Sequence, residues 1–150
     1  MEGSQVLADF RAKFRVDELL VVRNDAWTWS VRPAQATLGS GVLSLNRYAA
    51  RFSDVTAAEM AQLAELVARL EQAVYSAFDY QAINYLMLMM VDHQVHFHVI
   101  PRYDSRRLFA GLQWLDEGWP TLPPMTALQH GDHPGILALI RQELASAAVD

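Results

Sequence analysis

Residues 92–103 read DHQVHFHVIPRY, and the alternation inside that stretch constrains the fold more than any other feature of the chain. Its period is two, which is the period of a β-strand, where successive side chains point to opposite faces. Gln94, His96, His98, Ile100 and Arg102 therefore share one face, and Val95, Phe97 and Val99 share the other. The apolar set needs a core on its side. The polar set needs a surface or a pocket. Side chains two residues apart on a strand stand about 6–7 Å from each other, so His96 and His98 can reach one phosphoryl group together. One imidazole can attack while its neighbour donates a hydrogen bond to an oxygen. Spacing alone leaves three readings open: an anion site, a pair of metal ligands, or plain structure. A metal wants further ligands. His93 has the wrong parity, and only the HGDH segment at 130–133 offers more imidazoles.

Composition narrows the partners. At 150 residues, 52% of them hydrophobic, one domain spanning 1–150 can bury a core without cross-links. The chain has no cysteine, so no disulfide or thiolate chemistry is expected. The N-terminal residues carry charges and no apolar h-region, and no apolar run approaches the ~18 residues of a membrane span. A cytoplasmic protein without membrane attachment is expected. A formal charge of −5 argues against a nucleic-acid partner, which selects a basic surface, and leaves room for a small anionic ligand.

Around the motif, an α+β order is expected. Residues 4–14 read as a short helix that Ser4 could cap. Leu19–Arg23 and Trp27–Val31 read as a hairpin turning at Asn24-Asp25, and Val42–Leu45 as a third strand after a loop over 33–40. Thr56 and Glu59 form a capping box for a long helix over 57–78, with Met60, Leu63, Leu66, Val67, Leu70, Val74 and Phe78 along one stripe. Ala82–Met90 shows little polar alternation, so a central strand covered on both faces is expected. A tight connection at 91–93 then leads into an antiparallel strand over 94–103. Further on, Leu108–Leu112 reads as a strand and Gly118–Pro124 as an irregular loop. A last helix is capped by Asp132 or His133, with Ile136, Leu137, Ile140 and Leu144 on its apolar face.

QVHFHVIPRY resembles the signature of the histidine triad (HIT) superfamily, His-φ-His-φ-His-φ-φ followed by Pro-Arg, with apolar residues at each φ. The order of elements is similar as well, so the resemblance spans about residues 17–103, with 104–150 as an extension. It implies a HIT-like fold: an antiparallel sheet of about five strands, one long helix packed on it, and shorter terminal helices. It implies nucleotidyl transfer to water from a dinucleoside polyphosphate, a nucleoside phosphoramidate or another adenylylated compound. His96 takes the place of the nucleophile that becomes nucleotidylated, and His98 that of the imidazole bonded to the phosphate. A homodimer with no bound metal or cofactor is implied too.

The chain also departs from this pattern. Gln94 replaces the first triad histidine. The family's backbone carbonyl at that place orients the nucleophile, and a glutamine amide can itself donate to a phosphate oxygen. Ser40 follows Gly39 where the family carries a further histidine. The acid that holds the ribose is missing, with Ser30 at about its place. Asn84 matches a phosphate-proximal asparagine, or is a polar residue of the strand edge. Arg102 has the sign to meet a phosphate, or is salt-bridged. Trp27 and Trp29 could stack a base, although at least one is expected in the core. These departures keep a second reading in view, a nucleotide- or anion-binding module with little or no catalysis.

Overall fold

The computed structural model describes residues 2–149. Its elements run α1 Glu2–Lys13, β1 Leu20–Arg23, β2 Trp27–Val31, β3 Gly41–Leu45, α2 Ala57–Phe78, β4 Ala82–Leu86, β5 His96–Arg102, β6 Arg107–Phe109, β7 Leu112–Trp114 and α3 Ile136–Ala147. Five strands make one antiparallel sheet in the order β1-β2-β3-β5-β4. Strands β6 and β7 form a separate hairpin. This is the expected α+β architecture, with the motif strand β5 inside the sheet.

The register divides the sheet into two faces. Trp29, Leu43 and Phe97 lie across from one another on one face, and Ser30, Val42 and His98 on the other. On the first face, α2 and α3 cover Trp27, Trp29, Leu43 and Leu45, all fully buried. Trp27 Nε1 donates to the Glu59 carbonyl of α2 at 2.8 Å. Both tryptophans therefore belong to the core, and neither is placed to stack a base. On the second face a smaller apolar cluster of Phe10, Phe14, Val16 and Val42 seats α1 on the strands.

The long helix follows its sequence closely. Thr56 Oγ1 accepts from the Glu59 amide, the Glu59 carboxylate accepts from the Thr56 amide, and Leu63, Leu66, Leu70, Val74 and Phe78 are buried. Met60, at the first turn of the expected stripe, is 40% exposed.

Several expectations need correction. Strand β4 stops at Leu86 and lies at the edge of the sheet; it is half-buried along its length rather than central and covered on both faces. Its apolar composition has two other sources. Ile83, Tyr85, Met87 and Met89 pack against the core, while Leu88 and Met90 line a cavity. The last register pair is Leu86 with His98, so the chain leaves the sheet there and returns at β5 through residues 87–95, a longer connection than the tight turn at 91–93. Met89 turns it with φ of 54°.

The first helix starts at Glu2, so Ser4 lies within it and caps nothing. The apolar stretch 108–112 is not one strand: Ala110 and Gly111, with φ of 56° and 73°, form a two-residue hairpin turn between β6 and β7. The last helix is capped by Gly135 in the left-handed region, not by Asp132 or His133. Its buried face, Ile136, Ile140 and Leu144, is the expected one.

Candidate functional site

Strand β5 brings His96 and His98 side by side on the face away from α2, with ring centroids 5.0 Å apart and the rings edge to face. Both are buried, with 2% and 7% of their surface exposed, and both line a cavity of about 420 Å³. The roof is α1. Phe10 lies 4.9 Å from the His96 ring, and Phe14 lies 5.9 Å from His96 and 5.8 Å from His98. The 87–95 connection supplies the outer wall through Leu88, Met89, Met90 and Val91. Lys13 joins roof to wall, donating to both carboxylate oxygens of Asp92 at 3.0 and 2.9 Å.

The hydrogen bonds decide the tautomers. His96 Nδ1 is 2.5 Å from the Gln94 carbonyl oxygen. A carbonyl only accepts, so Nδ1 carries the proton and Nε2 keeps its lone pair. His98 Nδ1 lies 3.2 Å from Arg32 Nε, a group that only donates, so the His98 proton sits on Nε2. The pair thus offers one nitrogen lone pair and one N–H donor. Burial pushes both imidazoles toward the neutral form. For His98, desolvation is the largest cause, the Arg32 charge and His96 add to it, and the pKa falls to about 4. For His96, desolvation lowers the pKa while the Gln94 carbonyl partly opposes it. At neutral pH both imidazoles are therefore uncharged, His96 with a free lone pair on Nε2 and His98 with an N–H donor there.

Gln94 contributes its backbone rather than its amide. The side chain is fully buried and turned toward the segment after β3. Its Nε2 donates to the carbonyls of Leu45 and Arg47 at 3.0 and 2.7 Å, and its Oε1 accepts from the Ala49 amide at 3.1 Å. Both amide hydrogens are committed to those carbonyls, which corrects the expectation of a donor toward phosphate.

The remaining residues singled out in the sequence scatter. Ser30 is on the same face as His98, one strand beyond Val42, and its buried hydroxyl has no partner among the described residues. Ser44, directly across from His96, is in the same position. Ser40 is withdrawn into the loop before β3, where its Oγ donates to the Thr37 carbonyl at 2.8 Å. Asn84 and Arg102 face a different space, a groove along β4 that Trp119 also lines. Arg102 is 4% exposed. It donates to both carboxylate oxygens of Asp116 at 2.7 and 3.2 Å and to Asn84 Oδ1 at 2.8 Å. The salt-bridged alternative is the one adopted.

The other histidines stay apart. His93 is exposed and bonds to the Met90 carbonyl. His130 packs on Trp114 with ring centroids 4.5 Å apart. Among the described residues, no three histidine or acidic side chains gather as a metal-ligating group.

Arg32, Asp116 and the roof of α1 escaped the reading of the sequence. Arg32 continues the row of Thr28 and Ser30 past the end of β2. Parity along β2, combined with the register to His98, was the signal that could have found it.

Comparison with known proteins agrees with this fold. The family model described as HIT domain matches residues 42–105. No curated protein gives a significant match. Solved structures share the fold at low identity. A hypothetical histidine triad nucleotide-binding protein from Sulfolobus tokodaii superposes with a TM-score of 0.67 at 12% identity, covering 96% of this chain and 91% of its own. A Hit-like protein involved in cell-cycle regulation from Bartonella henselae, solved with an unknown ligand, gives 0.64 at 16% identity, covering 93% and 94%. A zinc-bound histidine triad family protein from Mycobacterium smegmatis gives 0.57 at 15% identity, covering 92% and 93%.

Proposed function

On the premise that residues 42–105 are a HIT domain, we propose that the protein is a hydrolase that transfers a nucleotidyl group to water through His96. The observation that carries this reading is the pairing of tautomers. His96 has its lone pair on Nε2 because Nδ1–H is held by the Gln94 carbonyl, and His98 beside it has its proton on Nε2.

In the first step, His96 Nε2 forms a bond to the α-phosphorus of a dinucleoside polyphosphate, a nucleoside phosphoramidate or a related adenylylated compound. The bond from phosphorus to the leaving group breaks, and the leaving group departs with the electron pair. His98 Nε2–H donates to a phosphoryl oxygen as charge builds there. In the second step, water attacks the same phosphorus and gives up a proton to solvent, the P–N bond breaks with its electron pair returning to His96 Nε2, and a nucleoside monophosphate leaves. The Gln94 carbonyl stabilises the positive charge that the His96 ring bears while bonded to phosphorus. A backbone group does this, so glutamine in place of histidine leaves the step intact. No cofactor is required by the scheme.

The reading carries a homodimer with it. The outer side of β4 is open at the sheet edge, and sizing at micromolar concentration tests the assembly. Incubation with a panel of adenylyl and guanylyl compounds, followed by intact-mass analysis, tests the chemistry. A nucleotidyl adduct lost in His96→Ala is expected. Turnover that survives this substitution sinks the reading.

One observation favours the non-catalytic alternative: His96 is 2% exposed beneath Phe10 and Phe14. That reading predicts thermal stabilisation by nucleotide without product, even after long incubation at high protein concentration.

A further inference from the structure

The cavity that holds the two imidazoles also holds a cation with no counter-ion among the described residues. Arg32 is half-buried and points its guanidinium at three neutral acceptors. Nε donates to His98 Nδ1 at 3.2 Å, Nη1 to the Ala34 carbonyl at 3.0 Å, and Nη2 to the Met125 carbonyl at 3.4 Å. Among the described residues no carboxylate forms an ion pair with it. Among the described residues, Asp92 is the one acid lining the cavity, and both its oxygens are taken by Lys13. Burial without a compensating anion lowers the Arg32 pKa, though an arginine stays charged.

A guanidinium withdrawn from water without an anion is costly, and a fold keeps one only if something fixes it. Here the fixing is elaborate. Gln35 Nε2 donates to the Arg32 and Ser40 carbonyls at 2.7 and 2.8 Å, and Gln35 Oε1 accepts from the Gly39 amide at 2.9 Å. The loop after β2 is thereby tied to itself. A guanidinium has five N–H groups, and three are used, so one on each Nη is left to donate. Two such donors form the fork that takes a phosphate through two oxygens.

We infer that Arg32 is the receptor for a second phosphate of the substrate, the one bonded to the phosphorus that His96 attacks. This rests on the reading of His96 given above and sharpens it. Because Arg32 is bonded to His98, the anion it receives stands next to the group that His98 contacts. The substrate class is then a phosphoanhydride, whose leaving group is itself a phosphate. A phosphoramidate is disfavoured, because its leaving amine is neutral or cationic and gains nothing from a guanidinium. When the bridging P–O bond breaks, the leaving phosphate takes the electron pair and gains negative charge beside Arg32.

The test is calorimetric titration with two stable ligands, AMP and the α,β-methylene analogue of ADP. The analogue adds only the second phosphate and cannot be cleaved at that bridge. Wild type is expected to bind the analogue about tenfold or more tightly than AMP, as a paired phosphate contact warrants. Arg32→Gln should erase that advantage while changing AMP affinity by less than about threefold. Arg32→Lys, which keeps the charge and loses the fork, should retain part of it and guards against a Gln variant that fails to fold. An analogue that binds wild type no tighter than AMP overturns the inference. So does an Arg32→Gln protein that loses the same factor for both ligands, since Arg32 would then serve only the attacked phosphate or the position of His98. Neither outcome touches the His96 adduct, whose presence or absence by mass judges the hydrolase reading separately.

Discussion

Strand β5 carries two buried polar sites on one face, and they are built by opposite rules. Toward its C-terminal end, Arg102 meets Asp116 through two hydrogen bonds and Asn84 through a third. Asp116 also accepts from the Tyr103 and Gly118 amides, so the cluster is charge-balanced and closed. At the other end, His96 and His98 hold fixed tautomers and share a cavity with Arg32, which has no ion-pair partner among the described residues. A closed pair holds a fold together and leaves no charge uncompensated. A cation without an ion-pair partner among the described residues, beside an imidazole with a free lone pair, is the arrangement the proposed phosphate site rests on. The lesson is that alternation alone does not separate the two ends. Their partners do, and those partners arrive from distant segments.

The comparison can be broken most forcefully at His96. His96→Ala should lower turnover by about ten-thousandfold or more, as loss of a covalent nucleophile does, while the melting temperature changes little. A steady-state assay with a dinucleoside polyphosphate reads this. At the closed end the damage should fall on stability instead. Asp116→Ala strands a buried guanidinium and should cost about 3–5 kcal/mol in a urea melt, with the folded fraction still acquiring the His96 adduct. The double variant Arg102→Met/Asp116→Leu should recover much of that loss. If Asp116→Ala abolished the adduct in folded protein, the two ends would not be separate.

The pH dependence sharpens the contrast further. The folded His98 pKa of about 4 lies below the unfolded value near 6.5. Between those values the unfolded chain binds the proton and the folded one does not. Stability is therefore unaffected above about pH 6.5 and falls as pH drops toward 4. His98→Asn should remove on the order of 2–3 kcal/mol of that acid loss, measured as the difference in unfolding free energy between pH 7 and pH 4. His96, shifted in the same direction, adds a part that this variant retains.

The smallest effect belongs to Gln94. Gln94→His would rebuild the triad in sequence, yet a ring cannot serve the Leu45, Arg47 and Ala49 backbone groups together. A loss of about 1–2 kcal/mol in stability and no gain in turnover are expected. A large rate gain with unchanged melting would show that the side chain, not the carbonyl, is what matters at this position.

Much of this was legible beforehand, and the reasons are local. Parity placed His96 and His98 on one face and Val95, Phe97 and Val99 on the other, because one buried strand imposes it. The capping box and apolar stripe placed α2 to the residue at both ends. What failed was every statement that needed a partner far along the chain. The composition of 82–90 could not tell a central strand from an edge strand whose continuation walls a cavity. Gln94 could not be read as a staple for residues 45–49 before the register with β3 was known. The lone sign of Arg102 and the absence of any mark on Arg32 hid which of the two would find an acid.

The roof has a consequence for the order in which the protein folds. Phe10 of α1 and Phe14 in the turn just after it rest on His96, His98 and Val42, a surface that does not exist until β5 has paired with β3. Helix α1 precedes β5 by most of the chain, so that contact closes a long loop and is slow to reward its cost in entropy. The helix must wait, with its aromatic side exposed, while the sheet assembles. The site therefore gains its enclosure in the same late event that buries α1, and a chain halted before β5 has neither the paired imidazoles nor a place for its first helix to go.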